Sequence, residues 1–241
     1  MKVRGRPLVL ATAISAALAA GWADAATPTK KPSSRIVDVA ARPAFKRAAG
    51  ASEVAAKPGQ LLAPGTVLRT QSPGRLQVRL ADGRSFRLGG DAELHLAGEE
   101  LDLRRGQIIA WINPAQKGGW PPLRIRTRVA TASIVGTTVF IDASAERVLF
   151  LSWEGLVKVA TDDGKRIQLK GGQVMTKTGD TWALPRPLSP VEARGRRERN
   201  PLFQSFSTPM DTLPLIDRQI DALHSAPRSA APAQAPAAGH R

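Results

Sequence analysis

Between residues 66 and 185, apolar side chains recur at every second position rather than at the three-and-four spacing of a helix. Leu76, Val78 and Leu80 alternate with Gln77 and Arg79, and Phe86 and Leu88 resume the pattern after Asp82-Gly83. Period-two alternation places one set of side chains on one face of a strand. Asp-Gly between two such runs predicts a tight hairpin with two positive-φ positions. The plan returns with Val157 and Val159, the turn Asp163-Gly164, then Ile167 and Leu169. Both return strands run into a glycine pair, Gly89-Gly90 and Gly171-Gly172, which suggests a duplicated architecture. Further strands are predicted over 67–70, 93–96, 101–103, 107–112, 123–128, 134–142, 147–153 and 181–184. Turn signals every 8–12 residues complete an all-β pattern.

The flanks read differently. Residues 1–25 fit an export signal: Lys2, Arg4 and Arg6 precede an apolar run from Leu8 to Ala20, and Ala23-Asp24-Ala25 fits a small-x-small cleavage site. That run is too short to span a bilayer comfortably, so cleavage after Ala25 is expected, with an uncleaved anchor as the alternative. No integral span is expected after cleavage. Residues 26–50 are expected to be a linker, 51–185 the folded β-domain and 186–212 a basic, Pro-bearing connector. A short amphipathic helix is predicted at 213–224, with Asp211 or Thr212 as cap and Leu215, Ile216, Gln219, Ile220 and Leu223 on one face. The Pro/Ala-rich 225–241 is expected to be disordered.

Composition narrows the picture. There is no cysteine, so neither a disulfide nor a cysteine-linked lipid is available, and the domain must hold by packing alone. The 241 residues carry a net charge of +15; losing residues 1–25 removes three positives and one negative and leaves +13. Behind an export signal this surplus points to anionic envelope polymers or an envelope protein rather than to nucleic acid, with plain solubility as the duller reading. The expected location is periplasmic or secreted. Oligomeric state is not legible.

No enzyme is expected, and no catalytic, metal or cofactor residues are assigned. The three histidines, His95, His224 and His240, lie apart from other ligands at metal spacing. No serine stands in a nucleophile turn, and Asp82, Asp91 and Asp163 sit where turns favour aspartate. Gly136-Thr137 lacks the P-loop pattern and runs into Val139-Phe140-Ile141, a strand. Gly136 is instead expected to let the backbone bend or approach a neighbour closely, with Thr137 hydrogen-bonding across.

One order of motifs is more specific than any single motif. APGTVLRT, LQVRLADGRSFRL, LDLRRGQI, IRTRVATASIVGTTVFI, LSWEGLVKV and LKGGQ follow one another over about residues 54–176. This order resembles the periplasmic FecR-type domain. Gly136, Thr137 and Phe140 match its central signature, Glu154 and Gly155 the next, and Gly171, Gly172 and Gln173 the last. Arg128 stands where the family usually has proline, and Thr138 where it usually has a charged or bulkier residue. The resemblance implies a twisted, two-layer, solenoid-like β-domain. The family's ferric-citrate regulators also carry a cytoplasmic anti-sigma segment and a transmembrane helix, for which the N-terminal part offers only an export signal. A non-enzymatic binding, scaffold or sensing role in the envelope is therefore expected. The alternatives are a membrane-anchored signalling regulator of the ferric-citrate type or an anionic-glycan-binding module.

Two features are candidate binding surfaces. Trp120, in the loop QKGGWPPL, can stack on a sugar or partner, or plug one end of the β-core. Arg75, Arg79, Arg84 and Arg87 on the first hairpin are expected to share a solvent face, with Arg124, Arg126 and Arg128 as a second row. Arginine rows suit phosphate or carboxylate.

Overall fold

The computed structural model describes residues 33–113, 115 and 121–225. The expected export signal, the start of the linker, the tail from 226 and Trp120 lie outside them. The described chain forms strands β1 (Arg35–Ala41), β2 (Ala44–Arg47), β3 (Val54–Ala55), β4 (Val67–Thr70), β5 (Arg75–Arg79), β6 (Ser85–Ala97), β7 (Glu100–Trp111) and β8 (Leu123–Arg126). These continue with β9 (Ala130–Ile134), β10 (Thr138–Ala143), β11 (Arg147–Glu154), β12 (Leu156–Thr161), β13 (Arg166–Lys170), β14 (Gln173–Thr178), β15 (Thr181–Trp182) and β16 (Arg186–Pro187). Two helices follow, α1 (Pro190–Arg199) and α2 (Leu213–Ser225), with a 3₁₀ turn at Pro201–Phe203 between them.

The strands make one open sheet folded into two layers, and the long β6–β7 hairpin belongs to both. The first half of β6 pairs β5, the second half pairs β4. Likewise Gly106–Trp111 of β7 pairs β10, while Glu100–Asp102 pairs β8 in parallel. Layer one runs β1–β5–β6–β7–β10–β11–β14, with β15 and β16 on β14. Layer two runs β3–β2–β4–β6–β7–β8–β9–β12–β13. Residues 85–97 and 100–111, expected as four strands, are two because each bends without ending. The bend sits at Gly90 (φ +68°), Asp91 (φ +55°) and Gly106 (φ +86°). A Cβ on Gly106 would stand 2.3 Å from Ala92 Cα, so the two bent strands touch backbone to backbone there.

The core between the layers is built by the alternating set: Leu76, Val78, Phe86, Leu88, Ile108, Val139, Ile141 and Phe150 from layer one meet Leu68, Leu94, Leu103, Leu123, Ile125, Ile134, Val157 and Leu169 from layer two. Layer one is apolar on its other face as well. Ile109, Trp111, Phe140, Leu149, Leu151, Trp153 and Val174 pack against Leu188, Ala193, Leu202, Met210, Ile216 and Ile220 of the C-terminal segment. From Val148 onward β11 is buried at every position, as a strand covered on both faces must be.

Several local expectations change. The turns at Asp82-Gly83 and Asp163-Gly164 share one geometry, in which only the glycine has positive φ (+88° and +84°). Gly83 N–H donates to Leu80 O and Leu80 N–H to Arg84 O; Gly164 and Thr161 repeat this with Thr161 O and Lys165 O. These are type I turns closed by a glycine bulge, which the right-handed strand twist accommodates as well as the two-residue turn. The stretch 128–141 is two strands, split at Gly136 and delivered to different layers. Strands β1 and β2 lie in the stretch expected as linker, where Ile36-Val37-Asp38-Val39 alternates among basic and proline residues. Helix α1 lies in the stretch expected as connector. Its Ser189-Pro190-Val191-Glu192 start carries a capping signature, and Ser189 Oγ accepts from Glu192 N–H at 3.1 Å. Its apolar stripe is almost absent, since only Ala193 and Gly195 are buried, so periodicity did not reveal it. The helix expected from 213 runs to Ser225 and docks on layer one.

Candidate functional site

The residues of the family-like signature come together at one corner. The chain crosses between layers three times there: from β9 to β10 at Gly136, from β11 to β12 at Gly155, and from β13 to β14 at Gly171-Gly172. Gly136 (φ +64°) faces open space and is required for its backbone conformation alone. Thr137 Oγ1 donates to the backbone oxygen of Glu154. A Cβ on Gly155 would stand 2.8 Å from Thr137 Oγ1, so the second crossing lies directly on the first. Gly171 and Gly172 leave the room that Gln219 and Leu223 of α2 occupy. Gln173 Oε1 accepts from Lys170 N–H at 2.9 Å and braces the last crossing.

Glu154 is the polar centre of this corner. Its carboxylate accepts from Thr138 Oγ1 at 2.9 Å, and Thr138 shares a second hydrogen bond of 2.7 Å with the hydroxyl of Thr212, just before α2. Thr138 and Thr212 are fully buried, and burial pushes the Glu154 carboxyl above its usual range despite the Thr138 hydrogen bonds. The signature thus builds a joint between two layers and a helix. Phe140 lies outside the corner, in the floor of a cavity of about 370 Å³ under α1, with Leu151 and Trp153. The acids on the rim of that cavity are already engaged. Asp142 accepts from Gln107, and Glu192 is held down at about 2, first by Arg186 and then by Arg196.

The first arginine row is not a solvent face. Arg75 and Arg87 lie on the outer face of layer one under the C-terminal segment, while Arg84 and Arg79 lie outside that cover. Arg87 is 3% exposed. It donates to Gln77 Oε1, Leu202 O and Thr208 O, each at 2.8 Å, and lies 4.1 Å from the Phe206 ring. Burial lowers its pKa to about 10, so it remains a cation at neutral pH. Arg75 is half-buried and donates to Pro201 O at 2.9 Å. Arg84 is buried, donating to Asp82 Oδ2 at 2.6 Å and Pro121 O at 3.0 Å. Arg79, at the end of β5, is exposed. Register puts Arg75, Arg79 and Arg87 on one face, whereas Arg84 precedes β6 with the parity of Phe86 and turns to Asp82 and Pro121 instead; alternation carries no information about what a distant segment lays over a face.

The second row is open. Arg124 and Arg126 are exposed on the outer face of layer two, paired with Glu100 at 2.8 Å and Asp102 at 3.0 Å. Arg104 also reaches Asp102, at 2.7 Å. The rows of this face follow from strand register. Asp102, Arg126, Thr131, Ala160 and Arg166 form one; Glu100, Arg124, Ser133, Lys158 and Gln168 form the next. All the acids lie on β7. Strands β8, β9, β12 and β13 carry no aspartate or glutamate, so the carboxylate of each row stands on β7, next to β8, where it pairs Arg124 or Arg126 rather than the cations on β12 and β13. Sequence reasoning missed Lys158 and Arg166 because they sit one or two to a strand, and only register aligns them with Arg124 and Arg126.

Among the described residues no group of three or more His, Asp or Glu is placed to hold a metal ion, and no helix is long and apolar enough to cross a membrane. No curated protein matches the chain. Two crystal structures from Parabacteroides distasonis, each described as "a putative anti-sigma factor", resemble it at TM-scores of 0.44 and 0.43 with 15% and 17% identity. Each comparison covers about half of this chain (50% and 51%) and spans 59% and 60% of the other. Residues 66–158, the stretch that holds the β6–β7 spine and two of the three crossings, match the FecR protein family, and the chain carries a FecR domain over that part of its length.

Proposed function

We propose that this protein is a non-enzymatic binding module of the bacterial cell envelope, exported to the periplasm or beyond, and that it engages an anionic glycan through the outer face of layer two. One observation carries the reading: the outer face of layer one is sealed by the protein's own C-terminal segment, while that of layer two is open, polar and cationic beyond β8. The FecR domain, the signal-like residues 1–25 and the net charge of +15 support the envelope setting. Arginine and lysine on a fixed sheet meet the carboxylates or phosphates of a polymer without reorganising the protein.

Retention of the full chain on dextran sulfate, with neutral dextran as control, tests this. Retention that weakens as salt rises is expected, because exposed charges are screened within about 10 Å at 0.1 M. Equal behaviour on the two matrices would reject the glycan reading. Salt-resistant capture of an envelope protein would replace it with a scaffold role.

A further inference from the structure

On the open face, a notch of about 310 Å³ is lined by seven residues: Val159 and Ile167 with Ala160, and four polar ones, Ser133, Lys158, Arg166 and Gln168, with the chemistry of a small anion site. Ser133, Lys158 and Gln168 are direct cross-strand neighbours on β9, β12 and β13. Arg166 stands in the adjacent row, opposite Ala160. Ala160 is the smallest residue of its row and leaves the floor low between Lys158 and Arg166. Among the described residues, neither cation makes an ion pair, and neither the Ser133 hydroxyl nor the Gln168 amide has a side-chain hydrogen bond. This contrasts with the same face at β8, where Arg124 and Arg126 are neutralised by Glu100 and Asp102. Keeping two uncompensated cations at diagonal positions of neighbouring strands costs repulsion that a bound dianion would relieve.

We infer that Ser133, Lys158, Arg166 and Gln168 around Ala160 form a subsite for a phosphate-bearing sugar unit. The inference rests on the glycan-binding reading and deepens it by naming the group recognised. A phosphate monoester carries close to two charges at neutral pH and matches two cations, where a uronate carries one. The guanidinium supplies a two-pronged donor, and the ammonium a compact charge that adapts to a third oxygen. The serine and glutamine side chains donate and accept, which suits the sugar hydroxyls beside the phosphate.

Calorimetric titration of the full chain with glucose 1-phosphate, glucuronate and inorganic phosphate tests the subsite. Glucose 1-phosphate is expected to bind more tightly than either of the others. Lys158→Ala and Arg166→Gln are each expected to weaken it about tenfold, the worth of one hydrogen bond to a charged group. Ala160→Gln fills the notch and is expected to weaken it comparably, while Lys158→Arg retains binding. The three positions changed are surface positions of β12 or β13, and unchanged melting temperatures would show that the fold persists. Binding of glucose 1-phosphate that these variants leave intact would overturn the subsite. So would its absence in a protein that still binds dextran sulfate, and in that case the glycan reading would stand. Variant-sensitive binding of the sugar phosphate without polymer retention would keep the subsite and reject the polymer. Inorganic phosphate binding as tightly as the sugar phosphate would overturn the sugar specificity.

Discussion

Two glycines with similar dihedral angles have different reasons to be glycine. Gly136 and Gly106 both have positive φ, yet a Cβ on Gly136 would have nothing within 4 Å, while one on Gly106 would meet the Ala92 backbone at 2.3 Å. Gly136→Ala therefore costs only the left-handed conformation, roughly 1–2 kcal/mol. Gly106→Ala adds a backbone clash and is expected to cost about 3 kcal/mol or more. Urea unfolding of both variants checks the ranking. Glu154 offers a second test at this scale. Its carboxyl binds a proton more readily folded than unfolded, so its ionised form penalises the fold above its raised pKa and the penalty vanishes as pH falls. Relative to Glu154→Gln, the native protein is expected to gain stability as pH drops from neutral through the range just above the ordinary carboxylate value. A stability difference that is flat over that range would contradict the buried-ion account. That Gly136 and Glu154 matter was legible from the motif order. The Thr138–Thr212 contact was not, because it joins residues far apart in sequence through a helix that lacked a known docking place.

The C-terminal segment behaves as a strap with its own latches. A β-bulge in β1 between Ile36 and Asp38 aims Asp38 at the outer face of layer one. There its carboxylate accepts from Ser207 N–H, Ser207 Oγ and Thr208 N–H at 2.5, 2.8 and 3.0 Å. Arg87 holds the same segment through Leu202 O and Thr208 O. Burial would raise the Asp38 pKa, but these hydrogen bonds overcome it and hold it below the usual value. The latch is therefore complete at neutral pH and is lost as pH falls through the lowered Asp38 range. The protection of the amides of residues 201–210, taken relative to their intrinsic exchange rates, is expected to fall in acid, and Asp38→Asn to produce the same loosening at pH 7, with a loss of about 2 kcal/mol in stability. A variant with unchanged exchange would show that Arg87 and the apolar contacts suffice. The strap was partly readable: α2 by its apolar face, α1 only by its capping residues. Its role as the lid over Trp111, Phe140 and Trp153 was not, since the unbroken apolar run of β11 tells that both faces are covered but not which segment covers them.

For the molecule as a whole, charge is arranged by face. On layer one Arg75 and Arg87 support internal contacts, while Arg124, Arg126, Lys158 and Arg166 of layer two stand in water, and the strand acids of layer two lie on β7 and its neighbour β6. Releasing Arg124 from Glu100 adds an uncompensated cation to the open face without disturbing the core. Glu100→Gln is thus expected to raise the salt concentration that elutes the protein from dextran sulfate, whereas charge reversal at the covered Arg75 is expected to act on stability first. An elution point that Glu100→Gln leaves unmoved would place the polymer contact on another surface.

Local physics is written along the chain. Alternation specifies strands and which side chains share a face, Asp-Gly and the glycine pairs specify where the chain turns, and the order of motifs specifies the FecR domain. Folding in three dimensions settles which layer each strand joins, which face is covered and which cations remain free. Period-two alternation is a property of a few consecutive residues, while cover and register are properties of segments that meet only after folding. Arg87 and Arg126 look alike in the chain; Leu202 and Thr208 hold one against the C-terminal segment, and Asp102 pairs the other at the open surface.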